Sequence, residues 1–364
     1  MFYARYDAPE AAPERGASQD EGEVLLRRVT KIAAAGVATA ALAFTSAACS
    51  SDSGSSDKGV GLAFDVGGRS DASFNESAAR GYDKAKKEFD LGGKELTARD
   101  GETEADREQR LTSLAEAGYN PVIGVGFAYG KSVNKVAKEF PDTTFAVIDE
   151  ASQGKNVAGV TFAEHEGSYL AGVAAATKSK TGKVGFIGGV HNNLIKKFEA
   201  GFVQGAKETN PDIEIDVKYL YESDLKGFQD PLRAKGIAEG MLDADTDVIY
   251  SAAGLSGTGS IEAVAAQDGA WAIGVDSDQY RDKALTDYKD SILTSVVKNV
   301  DVAVYDVIKS VEDGKPLTGD QTFALKDDGV SLATSGGFID DIQGEIDAAK
   351  KKIADGEIMV SDTP

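Results

Sequence analysis

The stretch Val60-Gly61-Leu62-Ala63-Phe64-Asp65 is an unbroken apolar run closed by a carboxylate. Val66-Gly67-Gly68-Arg69-Ser70-Asp71-Ala72-Ser73 follows, and then Phe74-Asn75-Glu76-Ser77. From there apolar residues recur at three- and four-residue spacing, as Ala78, Tyr82, Ala85 and Phe89. The run reads as a short strand over 60–65 and the recurrence as a helix over 74–89. Strand, glycine-bearing loop and helix in that order open a βαβ unit, and the next hundred residues continue it. Helices are predicted over 105–117 and 132–140, the first stopped by Gly118 and the second by Pro141, and strands over 121–126, 144–149 and 157–162. Such a series predicts an α/β fold, a doubly wound parallel sheet with helices on both faces.

The series then restarts. Helices are predicted over 167–177, 193–209, 227–242, 256–267 and 299–311, alternating with strands over 183–187, 213–220, 248–251, 271–275 and 292–297. An irregular hairpin or crossover pair is predicted over 322–333 and a tail helix over 339–354. Two consecutive units suit a chain of 364 residues, which is too long for one ordinary core. The predicted division is one lobe of residues 59–163 with about 297–325, and a second of 164–290 with about 326–360.

Ahead of the lobes, Arg27, Arg28 and Lys31 precede an apolar, small-residue run over 32–48. Its length is that of a signal-peptide core and short for a membrane span. Ser46-Ala47-Ala48-Cys49 resembles a bacterial lipobox, with Ser46 where the pattern has an aliphatic residue. Cys49 is the predicted lipidation site, and 50–57, all serine, glycine and aspartate, a flexible tether. Residues 1–26 carry acidic groups such as Glu21 and Glu23, unlike a signal n-region, and read as an over-called extension. The paired arginines suit twin-arginine export as well as general secretion.

The composition narrows function. A formal charge of −21, from 39 basic and 60 acidic residues, opposes nucleic-acid binding. A lone cysteine excludes an intrachain disulfide, and two histidines, His165 and His191, leave no multi-histidine metal site. No dinucleotide fingerprint is present, and no cofactor is expected.

Ligands of doubly wound sheets bind beyond the carboxyl ends of the strands. Three predicted strands end there in aspartate: Asp65, Asp149 and Asp276. Each alone is an ordinary turn or cap residue. Three at equivalent ends form a set able to grip a diol or an amine. Asp71 or Ser73 is placed to cap the 74–89 helix, with Phe74 and Asn75 in its first turn, an aromatic face and an amide that suit a flat heterocycle. In the second unit, Gly188-Gly189 end a strand and Phe198 lies on the next helix. Ala252-Ala253-Gly254-Leu255-Ser256-Gly257-Thr258-Gly259 opens another helix but lacks the lysine ending of a phosphate loop. Lys298 follows the 292–297 strand.

Together these segments resemble the basic membrane protein family, lipoproteins of the purine-nucleoside receptor type that serve ABC importers. The likeness rests on Asp65-Val66-Gly67-Gly68 with Ser73-Phe74-Asn75-Glu76-Ser77, and on Phe145-Ala146-Val147-Ile148-Asp149. It extends through Glu166-Gly167-Ser168-Tyr169-Leu170-Ala171-Gly172, Lys183-Val184-Gly185-Phe186-Ile187-Gly188-Gly189 and Phe198-Glu199-Ala200-Gly201-Phe202. Gly274-Val275-Asp276-Ser277-Asp278-Gln279 and Thr294-Ser295-Val296-Val297-Lys298 complete it. The resemblance implies a type I periplasmic-binding-protein fold, with a purine held between Phe74 and Phe198. It implies that Asn75, with Asp65 or Asp149, reads the base edge, and that Asp276, helped by Lys298, grips the ribose. Phe127 and Gly254 would line the pocket. The implied partners are a purine nucleoside, an ABC permease and, through the lipid anchor, a membrane; the binding protein itself would be a monomer.

Two other readings of the residues stand beside this one. A sugar- or autoinducer-binding receptor shares the fold and the use of aromatic rings and carboxylates. A nucleoside hydrolase would need clustered aspartates holding a metal. Asp243-Ala244-Asp245-Thr246-Asp247 is the densest acidic run, and it reads as a solvated turn.

Overall fold

The computed structural model describes residues 58–364. The predicted signal segment, Cys49 and all of the tether before Lys58 lie outside the described residues.

The first sheet is built from β1 (Val60–Ala63), β2 (Gly93–Leu96), β3 (Val122–Val125), β4 (Phe145–Ile148), β5 (Val157–Phe162) and, far along the chain, β11 (Gly319–Phe323). Its order is β11-β5-β4-β3-β1-β2, all parallel. The second sheet holds β6 (Lys183–Val190), β7 (Glu214–Tyr221), β8 (Val248–Ala252), β9 (Trp271–Asp276), β10 (Ile292–Lys298) and β12 (Val330–Leu332). Its order is β12-β10-β9-β8-β6-β7, parallel except for β12, which runs antiparallel to β10. In both sheets the strand order reverses beside the first strand, between β1 and β3 and between β6 and β8. A crevice opens at such a reversal.

Helices α1 (Phe74–Phe89), α2 (Glu104–Glu116) and α3 (Gly130–Val136) alternate with the early strands, and α4 (Glu164–Lys178), α5 (Asn193–Thr209), α6 (Pro231–Asp243) and α7 (Gly257–Ala265) with the later ones. α8 (Val300–Glu312) and α9 (Gln343–Ala354) complete the set. The central strands β1, β3 and β4 are buried on both faces, which is why they read as continuous apolar runs rather than alternating ones.

Three crossings join the lobes: β5 into α4, β10 into α8, and β11 into β12. The segment predicted as a hairpin or crossover pair is therefore a crossover, its two strands lying in different sheets. β10 stays in the second sheet to Lys298, so the return to the first lobe starts at Asn299. The predicted 227–242 helix starts four residues late. Asp230 caps it by accepting from the Arg233 amide, and Pro231 at its first position ends any extension backwards. Leu225–Phe228 form a separate short 3-10 turn.

α4 and α5 cross at van der Waals distance because glycines face the opposing backbone. A Cβ on Gly201 would stand 2.0 Å from the carbonyl oxygen of His165, and one on Gly205 2.1 Å from that of Tyr169. Above this crossing Phe186, Phe202 and Tyr250 pack with ring centroids 5.4–6.2 Å apart. Backbone cannot yield as a side-chain tip does, so Gly201→Ala is expected to cost about 1–3 kcal/mol in urea unfolding. Gly236→Ala on α6, where a Cβ meets nothing within 4 Å, is expected to be neutral or to stabilise by up to about 1 kcal/mol.

Candidate functional site

The loop after β1 is organised by Asp71. Its carboxylate accepts the backbone N–H groups of Ser73, Asn75 and Glu76 at 2.9–3.0 Å and so caps α1. It also accepts from Nδ2 of Asn75 at 2.9 Å. Asn75 donates its other amide proton to the carbonyl of Val66 and accepts from the Asp65 amide through Oδ1. Both amide protons of Asn75 are thus engaged within the loop, and its Oδ1 holds the Asp65 amide in place.

Asp65 receives one hydrogen bond on its carboxyl, from Val66 N–H at 2.8 Å. Burial pushes its pKa up to about 7, against that hydrogen bond. Burial likewise raises Asp71 to about 6, against its three amide donors. Arg107 and Arg110 approach from α2, and Tyr129 OH donates to the Phe64 carbonyl at 3.1 Å, tying the end of β3 to the end of β1.

Lys298 ends β10 and lies almost wholly inside the protein. Its ammonium donates to both oxygens of Asp149 at 2.8 and 2.7 Å and reaches Glu164 at 3.5 Å. Glu164 is also paired with Lys197 at 3.4 Å. The rings of Phe74, Phe162 and Phe198 surround the ammonium at 4.9, 5.1 and 5.6 Å from their centroids. Burial opposes the lysine charge, but Asp149, Glu164 and Asp276 outweigh it and hold the group protonated. Burial raises Asp149 in turn, against the pull of Lys298. Among the described residues no hydrogen bond joins Lys298 to Asp276, but the ammonium lies near enough to favour the Asp276 carboxylate through its charge. Asp276 instead accepts from Ser73 Oγ at 2.6 Å.

Asp149 and Asp276 both have positive φ, 71° and 64°. Aspartate tolerates this left-handed geometry better than most residues. Each chain turns sharply as it leaves its strand, which aims the carboxylate across the strand ends.

All nine predicted pocket residues line one cavity of about 520 Å³: Asp65, Phe74, Asn75, Phe127, Asp149, Phe198, Gly254, Asp276 and Lys298. Val66, Leu194, Ile195, Phe228 and Ala252 line it too and were not predicted. For Phe228 a signal was present. Asp230-Pro231 marks the true start of α6 and frees the preceding turn to face the cleft. The others lie in apolar stretches whose orientation only packing reveals. Asp247, from the acidic run, accepts from Ser179 Oγ and the amides of Lys180 and Thr181, so it ties a loop. Among the described residues no cluster of acidic, histidine or cysteine side chains is arranged to hold a metal.

Direct bonds also join the two lobes near the cavity. Ser277 Oγ donates to the Ser73 carbonyl at 2.8 Å, and Gln279 Nε2 to that of Ala72 at 2.9 Å. The Gly67 amide donates to Gln229 Oε1 at 3.2 Å.

Comparison with known proteins points the same way. The model of the family described as ABC transporter substrate-binding protein PnrA-like matches residues 58–363. The ABC transporter nucleoside-binding protein BmpA of Lactococcus lactis subsp. cremoris is 36% identical, over 92% of this chain and 99% of the relative. Basic membrane protein A of Borreliella burgdorferi is 32% identical, over 80% and 84%. A solved ABC transporter solute-binding protein from Aeropyrum pernix superposes with a TM-score of 0.73 at 30% identity, covering 84% of this chain and 93% of the other. The fold they share is the type I periplasmic-binding-protein fold.

Two outcomes follow from the site's electrostatics. Lys298→Met leaves Asp149 and Glu164 buried without their shared cation, and is expected to cost about 3–5 kcal/mol in urea unfolding. Replacing Asp149 by leucine in the same chain should return part of that loss. Asp65 has a folded pKa of about 7 against about 3.9 when unfolded. Its contribution to stability is complete below about pH 4 and is lost as pH rises through about 7. Asp65→Asn removes this dependence. The stability of the wild-type protein relative to the variant should therefore fall by a few kcal/mol between about pH 4 and 8, and a difference independent of pH would refute the assignment.

Proposed function

This chain belongs to the PnrA-like family of ABC transporter substrate-binding proteins, and on that premise we propose that the solute it captures is a purine nucleoside. The family is one of solute-binding proteins and not of enzymes. Among the described residues no helix is long and apolar enough to cross a membrane. The anchor in this reading is a lipid on Cys49, followed by the tether, which would hold the folded lobes off the outer face of the membrane as a monomer serving a permease.

One observation carries the proposal. The ring centroids of Phe74 and Phe198 lie 4.9 and 5.6 Å from the same buried ammonium, in a cavity whose polar lining includes the carboxylates Asp65, Asp149 and Asp276. A flat base fits between rings and gains about 1–3 kcal/mol per stacking contact. Hydroxyls of a ribose suit acceptor-only carboxylates, each charged hydrogen bond contributing about 1.5–3 kcal/mol. Ordering the ligand and closing the lobes offsets much of this. The balance is compatible with micromolar or tighter binding, about −8 kcal/mol. A phosphate would enter a site rich in carboxylates, so nucleotides are disfavoured.

The mechanism follows from where the groups sit. Asp65, Phe74 and Asp149 come from the first lobe, whereas Phe198, Asp276 and Lys298 come from the second. A ligand touching both sets favours the closed arrangement over any open one. The closed lobes then present a single surface to the permease.

Calorimetric titration with adenosine, guanosine, inosine, uridine and ribose tests the reading. Saturable purine-nucleoside binding is expected, weakened by about 1–3 kcal/mol in Phe74→Ala and by a similar amount in Asp276→Ala. Binding of ribose alone would make the protein a sugar receptor. No binding by folded protein would remove the nucleoside claim.

A further inference from the structure

The turn between β7 and α6 belongs to the second lobe but finds partners in the first. Asp224 opens it by accepting from the Lys226 amide at 2.9 Å. Gly227 lets it lie flat over the end of β6, since a Cβ there would stand 2.0 Å from the carbonyl oxygen of Gly189. Phe228 is thereby turned into the ligand cavity, where its ring meets Phe127 edge to face, centroids 6.2 Å apart at 69°. Gln229, the next residue, accepts from Gly67 and donates to Asp100 at 3.0 Å, both in the first lobe.

Two further crevices lie outside this turn. One, of about 1480 Å³ and open to solvent, runs between Gly67, Asp100, Arg107 and Lys226. The other, of about 1050 Å³, runs beside Arg107, Leu225 and Lys131. Val66 lines both the ligand cavity and the first crevice, and Phe127 lines both the cavity and the second. At Val66 and Phe127, therefore, a single residue lies between the cavity and this outer space, and Phe228 backs Phe127 from the cavity side.

We propose that the Phe127–Phe228 pair is a movable partition that sets the longest ligand the cavity accepts, with Phe228 the specificity-determining residue on the second lobe. The proposal rests on the nucleoside reading for its ligand. With the rings together the cavity holds one nucleoside. With Phe228 displaced it joins the outer crevices and admits a nucleoside carrying a neutral substituent at that end. The chemistry of the crevice favours a neutral group that accepts hydrogen bonds. Arg107 faces both crevices and its Nε is buried without a hydrogen-bond partner, while Asp100, Glu102 and Asp224 oppose an anion.

The test compares adenosine, N6-benzyladenosine and 5′-O-benzoyladenosine by calorimetry on the wild-type protein, Phe228→Ala and Phe127→Ala. The wild-type protein is expected to prefer adenosine over both derivatives by about tenfold or more, and each variant to narrow that gap by about tenfold for one derivative. Equal binding of all three by the wild-type protein, or an unchanged gap in both variants, would overturn the partition. A second readout needs no ligand. In a chain with Cys49→Ser and Ala252→Cys, the introduced thiol lies in the cavity, and adding Phe228→Ala should speed its alkylation by a bulky maleimide about tenfold. An unchanged rate overturns the partition even if no nucleoside binds, and a failure of adenosine binding with faster alkylation would count against the nucleoside reading alone.

Discussion

A buried lysine ammonium is tolerated only where carboxylates meet it, and Lys298 is met by two. Asp149 comes from the end of β4 in the first sheet and Glu164 from the first residue of α4, where the chain crosses to the second lobe. Lys298 itself ends β10, at the point where the chain crosses back. The ion pairs therefore fasten two of the three crossings together and bring the carboxyl ends of the two sheets face to face. Phe74, Phe162 and Phe198 surround this ammonium with aromatic rings, and Phe74 and Phe198 also line the cavity beside it. Moving any member would leave a buried charge without its partner. The site is accordingly built around a fixed cation rather than around the ligand.

On that frame the acidic groups divide into two kinds. Asp71 is consumed by the backbone amides of α1 and by Asn75, so its task is to shape the loop. Asp65, held by that loop, has one oxygen bonded by the Val66 amide, and burial raises its pKa to about 7. Asp149 and Asp276 accept left-handed backbone to face the cleft, a conformation of the kind that costs about 1–3 kcal/mol and persists where the surroundings impose it. The position of the cavity is thus set by topology, at the strand-order reversals, and its polarity by how a few carboxylates are tied down.

Much of this is legible in the sequence. The helices over 74–89 and 193–209 and the strand over 157–162 match α1, α5 and β5 residue for residue, because a strong apolar period coincides there with clear caps and stops. β2 was not foreseen: Gly93-Lys94-Glu95-Leu96 is a half-exposed edge strand, with no apolar run to mark it. The nine pocket residues could be named because strand ends and the first turns of the following helices are recognisable in a linear chain, and because the motifs around them resemble a family.

What the sequence determined by itself was local and periodic: two doubly wound units, glycine-bearing loops at their strand ends, and aspartates placed to face whatever lies beyond them. What only the tertiary structure decided was pairing. That the Lys298 ammonium bonds Asp149 and Glu164, and that Phe228 meets Phe127 across the cleft, are relations between residues a hundred or more positions apart. Spacing along a chain carries no information about such distances, because they are set by how two sheets and three crossings pack, and that packing is a property of the whole fold.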